Sequence, residues 1–276
     1  MKQILLTTLF LLSTFSYGQY TEGNTVVVWS SYKFLETLEG VEGASTKDWK
    51  ESFSEYYTKR NRKDKLLKSS LFLRHYWTGA SWDYHEVNEF ASMKDADEWS
   101  SGSGDLNQKA WPNKDKREKA IQAVNKYRQR GYHKDTHVWE NHPRYMKKRK
   151  KSKTPERTVV TVITQFWKPL SRVENGSADE REKLMDKFFK EVTMKNDKIL
   201  SQRVLTHYWS DDIDNGHWPL TYIREWASIQ DADDTETEAK LVEKAFTEEE
   251  QKALGKYWVG KHVDIGVYAN DTGFNK

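Results

Sequence analysis

Three sets of side chains able to move protons or hold charge occur in this chain, and each set is written twice. The first is Leu73-Arg74-His75-Tyr76-Trp77, which returns nearly half the chain later as Leu205-Thr206-His207-Tyr208-Trp209. Neighbours on a strand face opposite ways, so His75 and Trp77 share one side while Arg74 and Tyr76 share the other. The same alternation separates His207 and Trp209 from Tyr208. An imidazole titrates near neutral pH and can act as a general base, with a phenol beside it to assist. If the histidine side looks into the space between sheets, His75 and Trp77 flank a pocket; if the tyrosine side does, Arg74 and Tyr76 take that place. The alternative is a core histidine, repeated because the fold is repeated.

The second set is His133 and Asp135, with His137 beyond them, echoed by His262 and Asp264 with Gly266 in the third place. A carboxylate near an imidazole fixes its tautomer and raises its basicity. Residues two apart on a strand lie roughly 7 Å apart, so contact needs side chains that lean together. A solvent-facing strand end is the alternative. His133, Asp135 and His137 are also two histidines and a carboxylate, but three groups on one strand are poorly spaced for a single ion, and no metal is expected.

The third set is Glu89 and Glu225, each in a strand otherwise apolar on its own face: Val87 and Ala91 around one, Ile223 and Ala227 around the other. Such a carboxylate is either buried and paired or placed at a pocket. Arg74 is a conceivable partner for Glu89, and Arg224 or Arg203 for Glu225. Trp82 and Trp218 open these strands and are candidates for stacking on a flat ligand. No Gly-rich phosphate loop, G-x-S-x-G elbow, H-E-x-x-H or EF-hand pattern accompanies them, and no cofactor is expected.

Elements of an α+β fold must position these groups. Thr25-Val26-Val27-Val28-Trp29 and Thr158-Val159-Val160-Thr161-Val162-Ile163 read as buried strands. Each leads to a capped helix: Ser45 with Asp48 before the stripe Trp49, Phe53, Tyr57, and Ser177 with Glu180 before Leu184, Phe188, Val192. The His-Tyr-Trp strand follows, then a strand ending in Glu89-Phe90-Ala91-Ser92 or Glu225-Trp226-Ala227-Ser228, where Ser92 and Ser228 cap a second helix. The stretch Asp211–His217 lengthens the turn in the second half only. A last strand carries His133 or His262. Two units, 24–143 and 157–270, are thus expected, joined by a basic linker at 144–156.

Residues 1–18 read as a secretory signal: Lys2, an apolar run from Ile4 to Phe15, then Ser16-Tyr17-Gly18. The run is short for a membrane span of roughly 20 residues, so no membrane insertion is expected and the protein is expected to be exported. The absence of cysteine removes disulfides and thiolate metal sites. A net charge of +3 is nearly balanced. Twelve Trp, 14 Tyr and 11 Phe in so polar a chain either fill the core or line a groove for sugars or flat ligands. The run Met146–Pro155 reads as a solvated connector or as a tether for a polyanion; export and the lack of a recognition helix disfavour nucleic acid.

Strand, helix, strand, strand, helix, strand in each half is the ferredoxin-like order. A strand ending in Glu-aromatic-Ala-Ser and running straight into a helix near Asp-Ala-Asp resembles the dimeric α+β barrel superfamily, including antibiotic-biosynthesis-monooxygenase-like and stress-responsive barrel domains. In that superfamily two ferredoxin-like units set their sheets face to face, usually as a homodimer. Here the resemblance implies both units on one chain. The family's enzymes include cofactor-independent oxygenases and polyketide cyclases, and relatives with tandem units bind haem; fold likeness does not choose among them. The expected function is an exported, cofactor-independent enzyme working by His/Tyr acid–base chemistry in an aromatic-lined cleft. A lyase or isomerase acting on a small molecule or acidic saccharide fits that description. The alternatives are a non-catalytic binding protein and a haem-associated barrel with one histidine as axial ligand. Oligomeric state is left open.

Overall fold

The computed structural model describes residues 23–35, 37–78, 82–150, 155–209 and 216–276; the expected signal segment 1–18 and most of the Asp211–His217 stretch fall outside them. The first half runs β1 (Thr25–Phe34), α1 (Thr46–Lys63), β2 (Leu67–Thr78), β3 (Tyr84–Phe90), α2 (Met93–Ser101), α3 (Ser103–Ala110), α4 (Lys114–Asn125) and β4 (Arg128–Asn141). The second repeats it as β5 (Arg157–Trp167), α5 (Ala178–Phe188), β6 (Ile199–Trp209), β7 (Trp218–Trp226), α6 (Ile229–Asp233), α7 (Thr235–Ala245), α8 (Glu248–Tyr257) and β8 (Trp258–Asp271). The four expected serine caps are all made. Ser45, Ser92, Ser177 and Ser228 each accept the backbone N–H three residues on, satisfying a donor the helix leaves open.

The strands close into one antiparallel barrel in the order β1-β3-β2-β8-β5-β7-β6-β4. Each half supplies a continuous block, β4-β1-β3-β2 and β8-β5-β7-β6, and the blocks meet along the β2–β8 and β4–β6 ladders. Because every neighbour is antiparallel, equivalent strands of the two halves run the same way. Equivalent residues therefore lie at the same end of the barrel.

The barrel interior is filled. Val27, Trp29, Leu71, Leu73, Val87, Trp139, Val160, Leu205, Ile223 and Tyr268 pack there as one apolar cluster. The expected aromatic-walled chamber between the sheets is thus a packed core, since Trp29, Trp139 and Tyr268 meet edge to face across it. Helices cover the outer faces. On the first half Trp49, Phe53 and Tyr57 of α1 pack with Phe72, Tyr84, Tyr127 and Phe274. On the second, Leu184, Val192, Phe246 and Tyr257 form one cluster, with Met185, Val204, Leu220 and Tyr222 beneath. Among the described residues no helix is long and apolar enough to cross a membrane.

The basic run between the halves is docked where it is described. Lys147 exchanges two backbone hydrogen bonds with Gln202 on β6, at 3.0 and 2.9 Å, and Arg149 forks onto Glu225.

Candidate functional site

The three duplicated sets do not converge. The alternation of β2 and β6 turns His75 and His207 to the barrel side, at the end where these strands finish. Cross-strand, His75 faces Tyr268 and His207 faces Trp139. Arg74 and Tyr76 point outward: Arg74 donates to Asp271 at 2.5 Å, and Tyr76 packs with Ile229, Ala232 and Val267 under the guanidinium of Arg157. Tyr208 stands on the outward side with its ring against Trp209. Trp77 and Trp209 are each 65 % exposed, and Trp218 is exposed too, while Trp82 lies near the ammonium of Lys33. These aromatics sit on the surface at one end of the barrel.

Glu89 and Glu225 lie at the other end, buried in matching networks. Glu89 accepts from Thr25 at 2.8 Å, Ser69 at 2.5 Å and Asn141 at 3.1 Å, with Arg203 at 3.7 Å. Glu225 accepts from Thr158, from Ser201 at 2.8 Å, from Asn270 at 2.8 Å and from Arg149. The arginines differ from those expected. Arg74 faces outward to Asp271, and Arg203 crosses from β6 to the other half's Glu89. Arg224 is on the opposite side of β7 from Glu225, bound to Gln202 and Glu238. Burial alone pushes the Glu89 carboxyl up, but Arg203, Ser69, Thr25 and Asn141 together hold it below the usual carboxylate range. A carboxylate so fully paired is a structural tie between strands and halves, with no oxygen to spare for acid–base work.

The His-x-Asp strands are reshaped by a bulge in each half. The ladder β1–β4 skips Thr136, and β5–β8 skips Ile265 at the equivalent place. An extra residue reverses the alternation beyond it. His137 therefore faces inward and stacks on Trp139 at 4.5 Å, while His133 and Asp135 face outward. The three residues do not share a face, and among the described residues no group of three His, Asp or Glu is placed to hold a metal ion.

Beyond the bulge the halves diverge. In the first, Asp135 accepts from Ser30 at 2.6 Å, and His133 stacks on Tyr32 at 5.9 Å. In the second, Ile163 stands where Ser30 does and offers no hydroxyl, and Asp264 instead lies 3.4 Å from Nε2 of His262. Both side chains of this pair are more than half exposed. His262 also stands on the rim of a cavity of about 410 Å³ between the outer face of the second-half sheet and its helices.

That cavity exists because smaller residues replace large ones. Counted from the shared caps and glutamates, Tyr32, Phe53 and Tyr84 correspond to Gln165, Met185 and Leu220. In the first half Tyr32, Phe34, Phe72 and Tyr84 stack at 4.8 to 5.0 Å and close the space. In the second, Gln165, Ile163 and Met185 line an opening with Phe188, Leu254 and Trp258. Its polar groups are Thr161, Tyr222, Arg224, Glu238, Lys261 and His262. Burial pushes the Tyr222 phenol up, only partly offset by Arg224, whose guanidinium lies 5.4 Å from the ring centre. A single π turn, Phe189–Thr193, extends α5 just past the cavity, a local distortion frequent at functional sites. Of these groups His262 is a candidate from the sequence for chemistry, and Arg224 a candidate only as a partner of Glu225. The space itself is legible as the large-to-small exchanges at Gln165, Met185 and Leu220 between the aligned halves.

No family model and no curated relative matches the chain. Among solved structures it is similar to a presumed monooxygenase from Lactobacillus acidophilus NCFM, at 14 % identity and TM-score 0.45, covering 90 % of this chain and 93 % of that one. It is similar also to an anthrone oxidase-like protein, at 10 % identity and TM-score 0.41 over 91 % and 92 % of the two chains. A mutant chlorite dismutase from Candidatus Nitrospira defluvii gives 8 % identity and TM-score 0.46 over 91 % and 92 %. Likeness at this level concerns the course of the chain and carries no activity over.

A haem held by a histidine, the alternative the sequence offers, would need an imidazole nitrogen free to face the iron. His262, the histidine on the cavity wall, is exposed at the rim and turned to Asp264. His85 is sealed in the barrel, its Nδ1 accepting from Trp29 at 2.9 Å and contacting Ser31 at 2.8 Å. The donor set on the wall does not supply that ligand.

Proposed function

We propose that the second half binds a small, planar, weakly acidic organic molecule and moves a proton on it, while the first half is its filled, structural counterpart. The observation that carries this is the exchange of Tyr32, Phe53 and Tyr84 for Gln165, Met185 and Leu220. It leaves room beside the His262–Asp264 pair in one half only. The apolar wall of Ile163, Met185, Phe188, Leu254 and Trp258 favours a conjugated ring over a saccharide. Arg224 and Lys261 place positive charge where an anionic form of the ligand would be stabilised.

In this reading His262 accepts a proton from an acidic C–H or O–H of the ligand, and Asp264 steadies the imidazolium that results. Returning the proton to another atom gives an isomerisation; losing a leaving group first gives an elimination. Neither needs a tightly bound cofactor. The lysine-headed apolar leader supports export of the protein.

The test is a thermal-shift screen of planar aromatic and enolisable acids against the full chain, followed by turnover assays on those that bind. Binders whose turnover vanishes in His262→Ala, while binding and folding persist, support the proposal. Full turnover in that folded variant removes His262 from the mechanism. A Soret band on addition of haem, lost in the same variant, would replace it with the haem alternative.

A further inference from the structure

The end of the barrel that holds the two glutamate networks carries a second cavity, of about 660 Å³, which shares no lining residue with the first. Its wall includes Lys68, Lys147, Lys148, Arg149, Arg203 and Lys276. Two of these charges are already matched: Arg203 by Glu89 and Arg149 by Glu225. Glu89 on that wall is taken up by Arg203, and among the described residues Lys68, Lys147 and Lys148 make no ion pair. Lys147 donates to the carbonyls of Thr193 and Asn196, at 2.9 and 2.6 Å, which accept its hydrogens without cancelling its charge. Burial first, and the neighbouring Lys150 second, hold its ammonium below the usual lysine range, against the opposing pull of Asp197.

The floor beneath is fixed. The Arg203 side chain is about nine-tenths buried, donates to Ser69 at 2.9 Å, and rests against Glu89, which three further groups hold in place. The basic run supplies the rim, because its bridge to Gln202 pins Lys147 and Arg149 and sets Lys148 at the cavity wall. A run of like charge that is docked by two anchors costs more self-repulsion than a free connector. The cavity volume is that of a small-ligand site, too small for a folded polyanion.

We propose that this end of the barrel binds a small dianion, a phosphate or dicarboxylate compound, between Lys68, Lys147 and Lys148 above the paired arginines. The ligand supplies the negative charge that the wall lacks. Calorimetric titration of the full chain with inorganic pyrophosphate and, separately, with malonate tests it. Binding of either probe is expected to weaken with salt and to fall at least about tenfold in a Lys68→Gln/Lys148→Gln variant, the equivalent of about 1.4 kcal/mol. Both side chains are exposed, so the variant keeps the fold. Pyrophosphate alone assigns a phosphate ligand, and malonate alone a carboxylate. Affinity unchanged in the variant, or no heat with either probe at low salt, overturns the proposal.

Discussion

Asp264 faces Ile163 across the β5–β8 ladder, in the position where Asp135 faces Ser30 across β1–β4. One carboxylate is therefore held by a serine hydroxyl at 2.6 Å, and the other is left to His262 at 3.4 Å. A single exchange of residue type separates a strand tie from a pair able to move a proton.

The exposed His262–Asp264 pair adds little to stability, since ion pairs in water are worth about 0–1 kcal/mol. His262→Ala and Asp264→Asn are expected to shift unfolding by no more than about 0.5 kcal/mol. Turnover of a bound substrate should fall about 10²–10⁴-fold in His262→Ala, the range typical of a lost general base. Urea melts and steady-state rates on the same preparations check both.

Filling the second-half cavity as the first half is filled should abolish ligand binding without loss of fold. In Gln165→Tyr/Leu220→Tyr the two rings are expected to stack as Tyr32 and Tyr84 do, at 4.8 Å. Ligand-induced thermal shifts should vanish while the ligand-free midpoint is kept or raised. Conversely, Phe53→Ala in the packed half should cost about 3–5 kcal/mol, as for other buried Phe truncations.

His85 gives the acid sensitivity of the barrel a sign. Burial first, and the charge of His75 second, lower its pKa from 6.5 to about 4. Trp29, Ser31 and Tyr268 are its other neighbours. The folded state thus disfavours the proton relative to the unfolded chain. Its contribution is complete above pH 6.5 and is lost as pH falls from 6.5 towards 4, by about 3 kcal/mol in all. Unfolding free energies across that window should fall with decreasing pH in the native chain and more shallowly in His85→Gln.

Truncation of Glu89 strands the buried guanidinium of Arg203 and the hydroxyls of Thr25 and Ser69. Glu89→Ala is expected to destabilise by about 3–5 kcal/mol, the cost of breaking a buried pair on one side. Glu89→Gln, which keeps a hydrogen-bonding oxygen, should lose less. Denaturant midpoints at constant slope would measure both.

Much of the frame is local and was legible in the residues themselves. Serine caps depend on atoms three residues apart, and strand alternation on the next residue but one, so Ser45, Ser92, Ser177 and Ser228 could be read directly, as could the separation of His75 from Tyr76 and of His207 from Tyr208; which of the two sides faces the barrel interior was decided by the assembled sheet. The repeated Glu89 and Glu225 stood out as carboxylates either buried and paired or placed at a pocket, and the choice between these and the partners themselves came from the structure. Arg203 and Arg149 reach them from strands and segments far along the chain, and spacing along a sequence holds no record of such crossings.

The amino-acid sequence by itself determined a duplicated α+β chain with matched strands, caps and histidines, because each of those features is set within a few residues. The tertiary structure alone decided where chemistry has room. Bulges at Thr136 and Ile265 turned His133 and His262 outward, and packing density closed the barrel interior and the first-half space. Three smaller side chains then left the second half open. Packing is a property of surfaces brought together from distant parts of the chain, and only the assembled barrel shows which of two equivalent positions remains accessible.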